Sequence, residues 1–279
     1  MLQQRIITAL VLLAILLPAL FYPTPEPFIL VALVLICLAA WEWGQLNGYS
    51  KKSSWWIALG CLALCAAAWQ LQLPFKATPT PWLILGGVWV LLGAWMLKRG
   101  VVGWSLVPKW LRIGLGVLLI SAAWLAVAQA RVLGINFLLS TLVLVWAADI
   151  GAYFVGRAFG RRKLAPSISP GKSWEGVWGG MLAVLLVALA WRWADAAIVL
   201  GNPSLFTRLS SLGAVVFIVA LVFLCAMSVV GDLVESLVKR SAGAKDSSNL
   251  LPGHGGVLDR LDALLPAVPL AMMLAGLAR

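Results

Sequence analysis

Charged residues are scarce in this chain of 279 residues: they make up 11% of the sequence, whereas hydrophobic residues make up 62%. Soluble globular domains carry about 25% charged residues. So low a charge content excludes a soluble globular domain and indicates that the lipid bilayer is the solvent of this chain.

Histidine and cysteine are also rare, with one histidine and four cysteines. No second histidine is present to form a metal-binding pair, and the cysteines all fall within apolar stretches and lack zinc-site partners. A zinc site is therefore not indicated, and the cysteines do not identify a redox compartment. The chain also lacks an internal repeat, so a transporter built from duplicated halves is not suggested.

Long apolar runs fill most of the chain. Runs of roughly 17 to 25 residues are long enough to cross a bilayer as helices, and they predict an all-α, polytopic integral membrane protein with about nine spans. No small-residue cleavage pattern precedes Pro23, so the first run is interpreted as a retained helix rather than a signal peptide. The expected spans lie near residues 6–22, 28–46, 55–73, 82–97, 112–130, 135–156, 174–194, 209–234 and 260–278.

Basic residues outnumber acidic ones, 21 to 10, which gives a net charge of +11. With nine spans and the N-terminus inside, the cytoplasmic segments hold 16 of the 21 basic residues, and the positive-inside rule then fixes the orientation. Attraction to anionic lipid headgroups explains part of this charge. Nucleic-acid binding has no support beyond basicity.

Acidic residues divide the chain into two regions. Residues 1–130 contain only Glu26 and Glu42, and we interpret them as a scaffold of transmembrane helices. Residues 131–279 contain the other eight acids, five of them between residues 232 and 262. This second region is the expected catalytic part.

One polar stripe begins inside a span. Asp232, Glu235, Ser236 and Lys239 follow the spacing i, i+3, i+4 and i+7, which places them on one face of a helix. Such a stripe is either a fringe of residues that reach the membrane surface or the wall of a polar cavity. Asp232 lies two turns deeper than Lys239, roughly 10 Å at 1.5 Å per residue, and its burial without a partner would be costly. The depth favours a cavity.

The segment after this helix combines glycines, donors and acids. Its glycines permit close backbone approach to a ligand, its donors suit phosphate oxygens, and its acids, with Asp232, supply the hard oxygens that magnesium requires. Caps and salt bridges are the alternative role for the acids. His254 is expected to organise the loop or to donate to phosphate. These residues are Gly253, Gly255 and Gly256; Lys245, Ser247, Ser248 and His254; and Asp246, Asp259 and Asp262.

A second polar loop spans residues 157–173. Gly171-Lys172-Ser173 resembles the end of a Walker A loop, but Pro166 stands where that motif needs a glycine, and the preceding segment is a membrane helix. A P-loop is therefore excluded. Lys172 and Ser173 instead precede a helix whose first amides favour anions, although a simple positive-inside loop is the alternative. Further basic residues stand nearby, namely Arg161, Arg162 and Lys163.

The two loops, 157–173 and 239–259, fall on the same side of the membrane in the nine-span topology and can therefore build one site. Asp149 lies inside the span that precedes the first loop. An acid within a membrane span is a functional candidate by default.

Together these residues resemble a known family. The run from Ser236 to Asp262, with Lys239-Arg240, Lys245-Asp246, His254-Gly-Gly and Asp259-Arg260 at fixed spacing, is similar to the signature of the phosphatidate cytidylyltransferases, or CDP-diacylglycerol synthases. The stretch from Trp146 to Gly176 also looks like that family, so the resemblance covers residues 140–279. It departs at Gly171 and Ser173, where many members have lysine and threonine.

The resemblance implies transfer of the cytidylyl group of CTP to phosphatidate, which yields CDP-diacylglycerol and pyrophosphate for phospholipid biosynthesis. It also implies Mg²⁺, with K⁺ as a possible second ion, a homodimer, and a site facing the cytoplasm from a bacterial-type inner membrane. The phosphatidate phosphate is already an anion, so no general base is required and the main tasks are charge neutralisation and alignment.

We therefore assign roles by residue. The catalytic candidates are Asp232, Asp246, Asp259, Lys239 and Lys245. The candidates for binding the nucleotide and phosphates are Lys172, Ser173, Ser236, Arg240, Ser248, His254, Gly255, Gly256 and Arg260. The leading metal ligands are Asp232, Asp246 and Asp259, followed by Asp149, Asp262 and Ser236.

Three other functions remain open at this point. An ion-coupled transporter would use Asp149 and Asp232 to bind its ion, but it leaves the Gly-His-Gly-Gly loop unexplained. A scaffold or lipid-binding protein would require the acids to be replaceable. A CTP-dependent transferase acting on another polar lipid is also possible, because no feature of the sequence identifies the lipid backbone that is bound.

Overall fold

A computed structural model describes residues 2–76, 79–197 and 201–278. Nine helices in these ranges are long and apolar enough to cross a membrane. The predicted all-α, nine-span architecture is thus confirmed, and the chain is an integral membrane protein. The helices are α1 (Leu2–Phe21), α2 (Glu26–Leu46), α3 (Lys51–Gln70), α4 (Thr80–Ser105), α5 (Lys109–Leu133), α6 (Ile135–Phe159), α7 (Trp174–Ala197), α8 (Leu205–Ser210), α9 (Ala214–Ser241), α10 (Leu258–Leu261) and α11 (Leu264–Leu277).

Glycines account for two differences from the expected boundaries. The span expected at 209–234 is α9, which begins only after Gly213 (φ 98°) and runs on to Ser241, while the residues before that glycine form the short α8. Helix α4 is longer than expected because it continues past Gly100, whose φ of 67° bends the helix. Positive φ is accessible to glycine at little cost, so the chain can change direction at these residues.

The loop between α6 and α7 is shorter than expected and partly ordered as a hairpin. Strands β1 (Lys163–Ala165) and β2 (Ser169–Ser173) pair antiparallel, and β2 leads directly into α7. A 3₁₀ turn at Leu73–Phe75 lies between α3 and α4. Lys172 is the next-to-last residue of this hairpin, just before α7 begins.

Helices α6 and α7 approach closely because glycines face each other across their contact. A Cβ added at Gly180 would lie 2.7 Å from the carbonyl oxygen of Ala148, and one added at Gly151 would lie 2.6 Å from Ala183 Cβ. No larger residue fits these positions without a backbone shift. The close contact fixes α6, which carries Asp149, against the helix that follows Lys172.

The last span, Leu258–Leu277, includes α10 and α11 and lies inside the bundle, where α11 packs against α4, α5 and α9. Its residues Val268, Leu270 and Ala271 are fully buried. The start of this span lies beside the two polar loops, at an end of the bundle that we call the loop end. Arg240 Nε ties the loops together there by donating to the carbonyl oxygen of Ile168 at 3.3 Å.

Candidate active site

An ion pair between the two loop regions marks the centre of the site. Lys172, at the end of β2, pairs with Asp232 of α9, and their side chains are 25% and 27% exposed. Ser236, one turn further along α9, donates its hydroxyl to Asp232 Oδ1 at 3.2 Å. Both charged groups therefore stay accessible to a ligand.

Two more carboxylates lie near this pair. Asp149 of α6 and Asp262 at the start of the last span both interact electrostatically with Asp232 and Lys172. Asp149 is exposed in the isolated chain, and Asp262 Oδ1 accepts from the Ala263 amide at 2.7 Å. Three carboxylates thus interact electrostatically with one lysine, and Asp232 contacts it directly. This local excess of negative charge favours a further cation.

A second, more buried ion-pair cluster lies one turn further along α9. Lys239 Nζ lies 2.7 Å from Asp259 Oδ1 and also pairs with Glu235. Their side chains are 12% exposed for Lys239, 7% for Asp259 and 3% for Glu235. Sequence reasoning placed Glu235 on the polar stripe but gave it no role, and the structure makes it a partner of Lys239.

The loop before the last span folds around Asp259. Its Oδ2 accepts from the Ser247 amide at 2.9 Å, the Ser247 hydroxyl at 3.0 Å and the Gly256 amide at 2.8 Å. Gly255 has a φ of 81°, and a Cβ there would lie 2.7 Å from Asp259 Oδ2. Glycine is thus required at 255 by both conformation and space, and at 256 by space, because a Cβ there would lie 2.0 Å from Ser247 Oγ.

Several predicted binding residues make other contacts in this structure. Ser173 is buried and accepts from the Gly176 amide at 3.2 Å, so it caps the start of α7. Arg260 Nε donates to the carbonyl oxygen of His254 at 3.1 Å, which tethers the turn. Lys245 and Asp246 are exposed on the loop surface.

Sequence reasoning missed Glu42 of α2. Its side chain is fully buried and accepts hydrogen bonds from the hydroxyls of Ser247 and Ser248 and from the amides of Val257 and Leu258. An acid within an apolar run was the available signal. The first region of the chain therefore contributes directly to the site, in addition to its scaffold helices.

The acids suit magnesium in their chemistry. In the ranges that the structure covers, no three histidine, cysteine or acidic side chains form a ready-made metal cage. Magnesium, however, is typically bound through one or two carboxylates together with substrate phosphates. Asp149, Asp232 and Asp262 supply hard oxygens and excess negative charge, so they fit an ion whose shell a nucleotide completes.

Comparisons with known proteins identify the family of this chain. A model described as "Cytidylyltransferase family" matches residues 3–278. A Pseudomonas aeruginosa protein named phosphatidate cytidylyltransferase is 42% identical over 277 residues, which is 96% of this chain and 95% of that protein. The protein of the same name from Haemophilus influenzae is 39% identical over 96% of both chains. That of Bacillus subtilis is 40% identical over 144 residues, or 52% of this chain and 49% of that protein.

Proposed function

The chain belongs to the cytidylyltransferase family, and we propose that it makes CDP-diacylglycerol by transferring the cytidylyl group of CTP to phosphatidate at the loop end of the bundle. The observation that supports this location of the site is that α9 pairs with both polar loops: its Asp232 pairs with Lys172 of β2, and its Lys239 pairs with Asp259 of the segment before the last span. Alternating lysines and carboxylates, partly exposed at the end of membrane spans, suit a charged nucleotide and a lipid phosphate together. An ion-coupled transporter is not favoured, since the named relatives are transferases.

In the proposed reaction the phosphatidate phosphate attacks the α-phosphorus of CTP as pyrophosphate departs. In this proposal Lys172 and Lys239, both of which pair with carboxylates, hold phosphate oxygens, and Arg240 and the exposed Lys245 extend the positive charge outward. Magnesium bound by Asp232 with Asp149 or Asp262 would neutralise phosphate charge. Asp246 and Asp259 remain candidates for that ion or for potassium.

Alignment is the main contribution of the protein to this reaction. The attacking phosphate is already ionised, so rate enhancement comes from holding it in line with the leaving group and from offsetting the accumulated charge. Side chains on α9 and the last span are well suited to this task, because helices hold their positions more precisely than free loops do.

The lipid substrate can be tested with a panel of lipids. Purified protein in detergent micelles is incubated with Mg²⁺, CTP labelled in its cytosine, and phosphatidate, lysophosphatidate, diacylglycerol or phosphatidylglycerol. We expect label in the lipid fraction with phosphatidate and none with diacylglycerol, which lacks the attacking phosphate. Preferred labelling of a different lipid would contradict phosphatidate as the substrate. It would instead favour a CTP-dependent transferase that acts on that other lipid.

The proposal includes a site that faces the cytoplasm from a bacterial-type inner membrane. Tags in residues 161–170 and 241–250 should then both be accessible from the cytoplasmic side, because both segments lie at the loop end. The measurement is protease or antibody access to each tag in intact spheroplasts and in inverted vesicles. Labelling of the two tags from opposite sides would contradict a single site.

A homodimer is also part of the proposal, since the family resemblance implies one.

A further inference from the structure

Glu42 is a charged side chain in the interior of the bundle. It lies in α2, four residues before the helix ends at Leu46, and its exposed fraction is 0%. Burying a carboxylate is costly unless hydrogen bonds or an opposite charge replace water. A membrane protein that keeps an acid at such a position gains something from its contacts.

All the hydrogen bonds of Glu42 go to one distant segment, residues 247–258. Oε1 accepts from Ser248 Oγ at 2.5 Å and from the Val257 amide at 3.0 Å. Oε2 accepts from Ser247 Oγ at 3.1 Å and from the Leu258 amide at 2.7 Å. All four donors are neutral, and together they satisfy both oxygens, each with one hydroxyl and one amide.

This segment leads from Glu42 to the ion-pair cluster. Ser247 Oγ lies 3.1 Å from Glu42 Oε2 and 3.0 Å from Asp259 Oδ2, so the two carboxylates share the single hydrogen of this hydroxyl, which bridges them. Asp259 in turn contacts Lys239. The contacts therefore form a continuous chain from α2, through the loop, to α9.

Glu42 also fixes the start of the last span. Its amide partners, Val257 and Leu258, immediately precede Asp259, and Asp262 follows one turn later. A helix start leaves amides without intrahelical partners, and the Glu42 carboxylate accepts from two of them. A shift of this start would move both acids relative to Lys172 and Lys239.

If Glu42 only stabilised the fold, its hydrogen bonds would not need to go to the loop that carries the candidate site residues. Glu26, the other acid of the first region, lies on the same helix at its opposite end, 16 residues away at 1.5 Å per residue, or roughly 24 Å. Within the described ranges, none of the hydrogen bonds of the Glu42 side chain goes to another scaffold helix. They hold only the loop that carries the predicted phosphate donors and the acids.

We propose that Glu42 is a positioning residue for cytidylyl transfer, acting through Ser247 on Asp259 and on the start of the last span. The inference rests on the proposed function and assigns to the first region of the chain a part in that reaction. In this proposal Glu42 acts through its protein partners and does not itself hold the substrate.

The test is Glu42→Gln, with Glu26→Gln as the matched control on the same helix. Glutamine keeps the shape but places an NH₂ group where an amide donor needs an acceptor, so one of the Val257 and Leu258 amides loses its partner. We expect kcat to fall at least about tenfold while KM for CTP stays within about threefold, the pattern of a lost transition-state alignment. The control should retain the parent kcat.

Hydrogen exchange provides a second readout that does not depend on activity. In Glu42→Gln the peptide covering residues 247–258 should exchange at least about tenfold faster than in the parent, because its anchoring bonds open locally. A peptide from α8 should exchange unchanged. A purely structural residue would instead lower the folded fraction and leave kcat per folded molecule at the parent value.

Ser247→Ala keeps the test valid if Glu42→Gln does not fold, because it removes the bridge and retains both carboxylates. It should also lower kcat, and the double variant should be no worse than the poorer single variant, since both act on one chain of contacts. Parent-like kcat in both single variants would overturn the proposal. If the parent protein has no cytidylyl-transfer activity, the proposed function is wrong. The hydrogen-exchange result alone would then show whether Glu42 anchors residues 247–258.

Discussion

Replacing Asp232 with asparagine is expected to abolish cytidylyl transfer in a protein that still inserts and folds. The Asp232 side chain is 27% exposed and faces Lys172, so its loss leaves a lysine that water can still reach. The amide has the same size and can still accept from Ser236. Removing one preorganised charge from a transfer site costs about a hundredfold or more in turnover.

The measurement pairs thermal unfolding with a transfer assay. Without ligand, Asp232→Asn should unfold at the parent temperature or above it, because one fewer carboxylate lies in a crowded acidic region of a membrane span. The stabilisation that Mg²⁺ plus CTP gives the parent by binding the native state should disappear. Asp232→Glu, which keeps the charge, should retain part of that stabilisation.

A contrary result would identify a structural residue. If Asp232→Asn is clearly less stable without ligand and still shifts with Mg²⁺ and CTP, then Asp232 is only a partner of Lys172. The metal site would then have to be assigned to Asp149, Asp246 and Asp259.

Replacing Lys239 with methionine is expected to cost both stability and activity. Lys239 is the ion-pair partner of Glu235 and Asp259, whose side chains are 3% and 7% exposed. Methionine fills the space of the lysine stem but leaves two carboxylates facing each other without a countercharge. Removing one partner of a buried ion pair typically costs about 3–5 kcal/mol of folding free energy.

A double variant separates the two effects. Lys239→Met with Glu235→Gln removes one of the two uncompensated charges, so the unfolding midpoint should recover part of the loss. Turnover should stay low, because the lysine that we propose to hold phosphate is still missing. A single variant with parent-like stability would contradict the buried pairing, and a double variant with restored turnover would remove Lys239 from the catalytic residues.

The sequence was sufficient to predict the nine spans because length and apolarity alone decide whether a helix crosses a bilayer. Span ends were predicted less well. The expected start at residue 209 missed the break at Gly213, since a glycine in an apolar run does not reveal its φ. The hairpin of β1 and β2 was also not predicted, because basic residues were the main feature of that loop in the sequence.

For the site, helical spacing correctly placed Asp232 and Ser236 within reach of each other. The same spacing brings Glu235 within reach of Lys239. Spacing could not show that Lys172 would pair with Asp232, or that Lys239 would also pair with Asp259, because these two contacts join separate segments. Glu42 was missed for the same reason, since its partners follow it by 205 to 216 residues. Local patterns find a polar face, whereas the fold decides what that face contacts.

The most direct test of the central claim follows the label from CTP into lipid. Purified protein is incubated with phosphatidate, Mg²⁺ and CTP labelled either at the α-phosphate or at the γ-phosphate, alongside Asp232→Asn. We predict that the α-label enters the lipid, that the γ-label is released as pyrophosphate in equal amount, and that the variant does neither. Transfer of the γ-label to lipid would show a phosphoryl transfer instead, and equal transfer by Asp232→Asn would show that the reaction occurs elsewhere; either result would contradict the account.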